Sequence, residues 1–153
     1  MAETSRRSGA SAVEFALIAP LFLVLIFGII EFGMYFHALH TLKHACREGS
    51  RLGMVGGTVG GEDRTGSIIK IIKDRASTAV NKDKIDIRIF EVNPDYSDPV
   101  GWETTPPGAG DPEDFMRIKL RYTYKFINLL IGVFFSGGGQ EILTEITYKN
   151  EKF

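Results

Sequence analysis

The chain has 153 residues, which leaves room for one modest domain and a membrane segment rather than for two full domains. Its 18 basic and 19 acidic residues nearly cancel, so no strong net charge would draw the protein to nucleic acid. The single cysteine, Cys46, excludes an internal disulfide framework. Its place in an apolar helical stripe predicts a packed core residue, although pairing between two chains stays open.

A long apolar run near the N-terminus indicates the class of protein. Residues 15–30 carry no charge, and with Glu31 included the run continues to Phe36. About 22 helical residues at about 1.5 Å each reach about 33 Å, enough to cross a hydrocarbon core of about 30 Å. A cleaved secretory signal has a shorter apolar region that closes with small residues, whereas Met34 and Tyr35 stand at this end. The run therefore predicts a retained transmembrane helix.

The basic residues around this helix leave its orientation ambiguous. Arg6 and Arg7 precede it, but Lys43, Arg47 and Arg51 follow it, so the positive-inside count favours neither side. A short N-terminal leader offers little to translocate. We therefore expect the N-terminus in the cytoplasm and the larger C-terminal part outside.

The helical pattern continues beyond the membrane run. Apolar or small residues recur at three- and four-residue steps at Leu39, Leu42, Ala45, Cys46, Gly49 and Gly53. Ala45, Gly49 and Gly53 are small residues four positions apart, a spacing that allows a second backbone to approach closely. Gly56 and Gly57 then end the helix, which should be roughly 40 residues long.

A second helix and three strands are predicted downstream. The helix covers residues 67–80, with Ser67 as its N-cap. Alternating apolar and polar residues predict strands over 84–92, 115–126 and 141–149. The predicted fold class is therefore α+β: a long transmembrane helix that extends into a small exterior domain, with a second helix and a three-stranded antiparallel sheet.

The middle strand has one strongly basic face. Arg117, Lys119, Arg121 and Lys125 alternate with its apolar residues. This face could meet an acidic partner or lipid phosphates. The favoured interpretation is a solvated sheet face close to Glu141 and Glu145.

Two connecting segments are unusual in composition. Residues 93–114 hold five prolines and six acidic residues without Lys or Arg, which predicts a loop. Calcium could bind such acids, but their spacing does not match an EF-hand. Residues 127–135, INLLIGVFF, are too short to span a bilayer and are expected to pack on the domain core or dip towards the membrane surface.

The sequence contains no motif for catalysis, so we expect neither an enzyme nor a cofactor. A nucleophile-elbow motif, a Gly-rich phosphate loop and a zinc-protease motif are all missing. His37, His40 and His44 fall on one helical face and are weak candidates for a shared metal. A polar stripe just outside the membrane explains the same spacing and is the favoured interpretation.

The N-terminal segment resembles a known processing signal. Arg6 and Arg7 are followed by Gly9, and Glu14 is the fifth residue after that glycine, at the mouth of the apolar run. This arrangement resembles the signal of type IV pilin-like proteins, which a prepilin peptidase cleaves after the glycine. The segments SAVEFALIAPLFLVLIFGIIEFG and ACREGSRLGMVGG, together with RYTYKFINLLIGVFF and EILTEITYKNE near the end, resemble TadE-like pseudopilins of the tight-adherence (Tad/Flp) pilus system.

The resemblance implies a function and a domain organisation. Residues 1–9 would be a cleaved leader, 10–36 the transmembrane helix and 37–153 an extracytoplasmic pilin-like domain. The protein would be a minor pilin of the inner membrane that serves assembly of an adhesive, biofilm-forming pilus. Cleavage between Gly9 and Ala10 would create an ammonium group, and Glu14 of one subunit would pair with that group of the next. The alternative is an unprocessed, membrane-anchored scaffold or ligand-binding subunit of an export machine.

The resemblance also implies partners. These are the prepilin peptidase, a companion TadF-like pseudopilin, the major Flp pilin, the Tad secretion ATPase with its membrane platform, and membrane lipid.

Overall fold

A computed structural model describes residues 3–127 and 138–153 of the chain, with side chains from residue 9 onward. Along the described chain the elements are α1 (Glu3–Met54), α2 (Arg64–Ala76), a 3-10 turn (Lys82–Lys84), β1 (Asp86–Glu91), β2 (Phe115–Lys125) and β3 (Gly139–Lys149). The three strands form one antiparallel sheet in the order β1-β2-β3. The predicted α+β class is confirmed.

The chain divides into two compact units. The first comprises Met1–Tyr35 with Lys125–Gly139, and the second comprises Phe36–Tyr124 with Gln140–Phe153. In the first unit α1 carries the uncharged run of residues 15–30, and among the described residues it is the one helix suited by length and composition to cross a membrane. None of its most apolar stretch is buried within the protein, as expected of a surface that faces lipid.

The second unit is built on the stripe of α1 that faces away from solvent. Ala38, Leu42, Ala45 and Cys46 are all buried on this stripe. The opposing side chains come from α2 and from the inner face of the sheet: Ile68, Ile72, Ile87, Ile89, Met116, Ile118, Leu120 and Ile142 are buried there. This apolar burial is the main driving force for folding of the unit.

The start and end of α2 differ from the prediction. The N-cap is Asp63, whose carboxylate accepts a hydrogen bond from the Gly66 N–H at 2.8 Å, so the prediction of Ser67 was wrong. Ser67 lies inside the helix and is fully buried, and its hydroxyl accepts the Val59 N–H at 2.8 Å. The helix ends at Ala76, before the predicted end at residue 80.

The strands lie close to where the alternating pattern placed them. β1 and β2 pair with Ile89 opposite Ile118 and Ile87 opposite Leu120, so the predicted apolar residues share the inner face. β3 begins at Gly139, two residues before the predicted start, and its Ile142 and Tyr148 are buried. The acidic segment 93–114 contains no helix or strand, as predicted.

That acidic segment covers part of the outer face of the sheet, so the prediction of a solvated basic face was wrong at Lys119 but right at Arg121, which is exposed and pairs with Glu141 at 3.2 Å. Asp98 bridges two residues of β2, bonding Arg117 at 2.6 Å and also Lys119. Lys119 is 9% exposed, and its ammonium lies 4.5 Å from the centroid of the Trp102 ring. The acidic partner considered for this face is therefore a loop of the same chain. Glu145 of β3 completes the pairing of Lys119 at 3.1 Å.

The loop is also fixed at its C-terminal end. The buried Asn150 donates its side-chain amide to the carbonyls of Ala109 and Asp111, at 3.0 and 2.7 Å. Its backbone N–H donates to Asp114. These bonds satisfy loop carbonyls that the fold has taken out of water. The apolar segment predicted at 127–135 lies outside the described residues except for Ile127.

We predict that Gly49→Leu destabilises the domain. A Cβ atom at residue 49 would lie 2.6 Å from Cγ1 of Ile72, which is too close for two carbon atoms. Overpacking of this kind costs about 1–3 kcal/mol, so the melting temperature should fall. Gly33→Leu is the matched control, because a Cβ at Gly33 meets nothing within 4 Å. Equal melting temperatures for the two variants would contradict the prediction.

We predict that Asp98→Asn destabilises the domain at neutral pH but not in acid. Burial acts to raise the pKa of Asp98, but the hydrogen bonds and charges of Lys119 and Arg117 outweigh it and hold that pKa below 3.8. The folded-state pKa is therefore lower than the unfolded one, and the stabilisation is present above about pH 4 and lost as the pH falls through the folded value.

The measurement is urea unfolding of wild type and variant at pH 7 and at pH 3. Breaking the pair should cost about 1–3 kcal/mol at pH 7, because it leaves a mostly buried Lys119 with fewer partners. The difference in the free energy of unfolding between wild type and variant should be smaller at pH 3. Asp83→Asn, in the exposed 3-10 turn, controls for loss of one acid. If the difference in the free energy of unfolding is the same at both pH values, the charge of Asp98 is not the source of its stabilising effect.

Candidate functional site

The residues predicted for processing lie at the exposed N-terminal end of α1. Gly9 and Ala10 are both exposed, and a Cβ atom placed on Gly9 would meet nothing within 4 Å. Both belong to the helix, so a peptidase that reads an extended backbone would have to unwind this first stretch. Glycine lowers the cost of unwinding, because it is about 1 kcal/mol less favourable than alanine within a helix.

Glu14 lies one helical turn beyond Ala10, on the same side of α1. Its neighbours Val13 and Phe15 are 62% and 72% exposed, so the carboxylate shares the surface that would face lipid. Within the described residues no hydrogen bond or ion pair involves the Glu14 side chain. A carboxylate at the edge of a hydrocarbon region is costly unless it reaches headgroups or finds a cationic partner.

The small-residue stripe of α1 packs inside the protein's own domain. Ala45 is fully buried. A Cβ atom on Gly49 would clash with Ile72 of α2, and one on Gly53 would lie 2.5 Å from the Tyr148 hydroxyl oxygen of β3. The absence of side chains at these two glycines therefore permits the close approach of α2 and β3 to α1.

Most of α1 is similar to a known protein family. Residues 9–51 match the family model of TadE-like proteins. The chain carries a TadE-like segment. The predicted resemblance is thereby confirmed over these residues, and the match supports a pseudopilin of the Tad pilus system. No curated protein and no solved structure matches the chain significantly. The resemblance near the C-terminus, over residues 121–151, lies outside the matched segment and stays a prediction.

The TadE-like segment begins at Gly9, the residue predicted to end the leader. It runs through Glu14 and the whole apolar run, and it includes Ala45 and Gly49 of the packed stripe. The matched unit is therefore a membrane-anchoring helix with a domain-packing extension, which agrees with a membrane-anchored protein.

Sequence reasoning missed the role of a second acid within the TadE-like segment. Glu31 is 2% exposed, and its carboxylate accepts the backbone N–H of Ile127 at 2.9 Å. In an apolar setting an unbonded backbone N–H is costly, so the carboxylate stabilises the end of β2. The sequence spacing could have indicated that Glu31 is buried. Glu31 and Tyr35 continue, at three- and four-residue steps, the helical stripe that contains the buried Ala38, Leu42 and Ala45.

Aromatic rings surround the same end of β2. The ring of Phe126 lies edge-on to Phe32, with centroids 6.3 Å apart, and stacks on Tyr35 at 6.2 Å. Both geometries are favourable for aromatic pairs. Phe126 also donates its N–H to the Gly138 carbonyl at 3.0 Å. Phe126 and Ile127 thus contact α1 through the Phe32 and Tyr35 rings and the Glu31 carboxylate.

The histidines of the TadE-like segment are all exposed. His40 and His44 line a groove between α1 and α2 together with Thr41, Arg75 and Thr78, whereas His37 is not part of it. Within residues 3–127 and 138–153, no three His, Cys, Asp or Glu side chains are grouped to hold a metal ion. A guanidinium beside two imidazoles also disfavours a bound cation.

Cys46 is suited to packing rather than to chemistry. Burial raises the pKa of its thiol to about 12, against an opposing effect of Arg47 and with a small addition from Glu145. Its sulfur contacts the Ile118 carbonyl oxygen at 3.9 Å. A thiol with so high a pKa is almost fully protonated at neutral pH and is a poor nucleophile. Burial likewise raises the pKa of Tyr148 to about 12.

We predict that Glu31→Leu loosens the end of β2. Leucine leaves the Ile127 N–H without its acceptor, at a cost of about 1–3 kcal/mol, whereas Glu31→Gln retains an acceptor oxygen at the same reach. The measurement is amide hydrogen exchange at Ile127 in detergent-solubilised protein. Exchange should accelerate strongly in Glu31→Leu and much less in Glu31→Gln. Identical exchange in all three proteins would remove this role for Glu31.

Proposed function

We propose that the protein is a minor pilin of a Tad (Flp, type IVb-like) pilus that is needed for pilus assembly and, through the pilus, for adhesion and biofilm formation. It is processed between Gly9 and Ala10 by a prepilin peptidase. The mature chain spans the inner membrane once, with Ala10 on the cytoplasmic side and residues 37–153 outside. The observation that carries this proposal is the TadE-like match from Gly9 to residue 51, on a helix whose apolar surface is unburied.

The exposed α1 surface supports an assembly role rather than anchoring alone. A simple anchor needs only apolar residues, yet this helix places Glu14 where its charge has no partner in the described chain. Cleavage after Gly9 supplies an ammonium at Ala10. A carboxylate and an ammonium in a low-dielectric setting stabilise each other only when they meet with good geometry. Pairing between neighbouring subunits would therefore fix their register as a subunit leaves the bilayer.

The partners of this function follow from the family. They are the prepilin peptidase, a TadF-like pseudopilin, the major Flp pilin, and the Tad secretion ATPase with its membrane platform. Membrane lipid is the remaining partner, since the exposed apolar surface of α1 requires it.

We predict that Glu14→Leu inserts normally, is processed and fails to support pilus formation. Removal of a charge makes membrane insertion no worse. Loss of one member of a buried pair costs about 3–5 kcal/mol, because the other charge is left without its partner. The measurements are membrane fractionation, intact mass and surface pilin in a strain that carries only the mutant copy.

The controls separate processing from pairing. Val13→Leu changes an adjacent exposed residue without altering charge and should leave piliation intact. Gly9→Leu should block processing while insertion continues, since the apolar run is unchanged. Normal piliation by Glu14→Leu would eliminate the pairing role. A mature wild-type N-terminus at Met1 or Ala2 would instead favour the unprocessed membrane-anchored scaffold.

A further inference from the structure

A groove lies between residues 40–44 of α1 and the C-terminal end of α2. It has a volume of about 460 Å³ and is lined by His40, Thr41, His44, Arg75 and Thr78. Two imidazoles and a guanidinium thus face one space. No Asp or Glu is among the described residues that line the groove. Its lining is rich in hydrogen-bond donors and carries only positive or neutral groups.

The C-terminal end of a helix is usually a poor place for an anion, because its free carbonyls are partly negative. In α2 these carbonyls are already occupied. The carbonyls of residues 73–76 accept hydrogen bonds from Ser77 N–H, Ser77 Oγ, Thr78 Oγ1 and the N–H groups of Ala79 and Val80. The groove therefore presents the Arg75 guanidinium without an adjoining row of bare carbonyls.

The position of the groove is set by the antiparallel packing of α2 on α1. Gly49 faces Ile68 and Ile72, and His40 and His44 lie beside Arg75. The groove is thus formed by the turns of α1 that come soonest after the apolar run, since His40 is the fourth residue after Phe36. A helix that leaves a bilayer at Phe36 places its next turns among lipid phosphates.

We propose that this groove is a binding site for a phosphate-type oxyanion, held by Arg75 together with His40 and His44. Arginine offers a planar fork of donors that matches the oxygens of a phosphate group. The two imidazoles are four residues apart on α1 and contact the anion from the opposite side. The ligand is either the phosphodiester of a phospholipid headgroup or free inorganic phosphate, since both have the same oxygen chemistry.

The charged and donor groups that face the groove are His40 and His44 from α1 and Arg75 from α2. The Arg75 guanidinium is permanently charged, and each imidazole can offer a ring N–H to an oxyanion.

The experiment is an NMR titration of the full chain in a maltoside detergent, which contains no phosphate. One arm uses dimethyl phosphate, a phosphodiester of constant single charge, and the other uses inorganic phosphate. Both are followed through the amide signals of Thr41, His44 and Thr78. Saturable shifts with dimethyl phosphate identify the headgroup as the ligand class, and shifts with inorganic phosphate alone identify the free ion.

The variants test whether the groove itself is responsible. Arg75→Gln should weaken binding at least about fivefold, and the His40→Gln/His44→Gln pair should weaken it as well. Lys70→Gln removes the same charge from an exposed position in the middle of α2, outside the groove, and should bind like wild type. Absence of saturable shifts with either probe, or equal weakening by Lys70→Gln and Arg75→Gln, would overturn the proposal. The titrations measure binding to the purified chain and do not depend on pilus assembly.

Discussion

The close approach of α2 and β3 to α1 is the contact on which the second compact unit depends. It exists because Gly49 and Gly53 have no side chains at the points where Ile72 and Tyr148 arrive. With Ala45 they form a surface on which a second helix and an edge strand can pack at short range. The antiparallel course of α2 follows from this contact, and with it the groove that joins Arg75 to the histidines of α1.

Three polar side chains that lie in apolar surroundings differ from Glu14, because they have partners within the same chain. Glu31 bonds the end of β2, Lys119 bonds two carboxylates, and Asn150 bonds two loop carbonyls. Each is therefore stabilised within one chain, as buried polar groups must be. Glu14 differs, because its carboxylate has no partner in the described residues of a single chain. That difference is the physical reason to look for its partner in a second subunit.

The elements that could be predicted were those governed by local periodicity. The apolar run, the stripe of α1 and the alternation in 115–126 have unambiguous periods, and each element appears where its period placed it. The N-cap of α2 could not be chosen reliably, because both Asp63 and Ser67 are suitable capping residues and only the buried position of Ser67 decides between them.

The sequence by itself determined that the protein has a long apolar helix suited to cross a membrane, an α+β fold and a TadE-like N-terminal segment. These properties depend on residue order over short distances, so they can be predicted from composition and spacing. Tertiary structure alone decided that the acidic loop pairs with Arg117 and Lys119, that Glu31 bonds Ile127, and that Arg75 lines one groove with His40 and His44. These contacts join residues far apart in the chain, and their partners are chosen by how the helices and sheet pack.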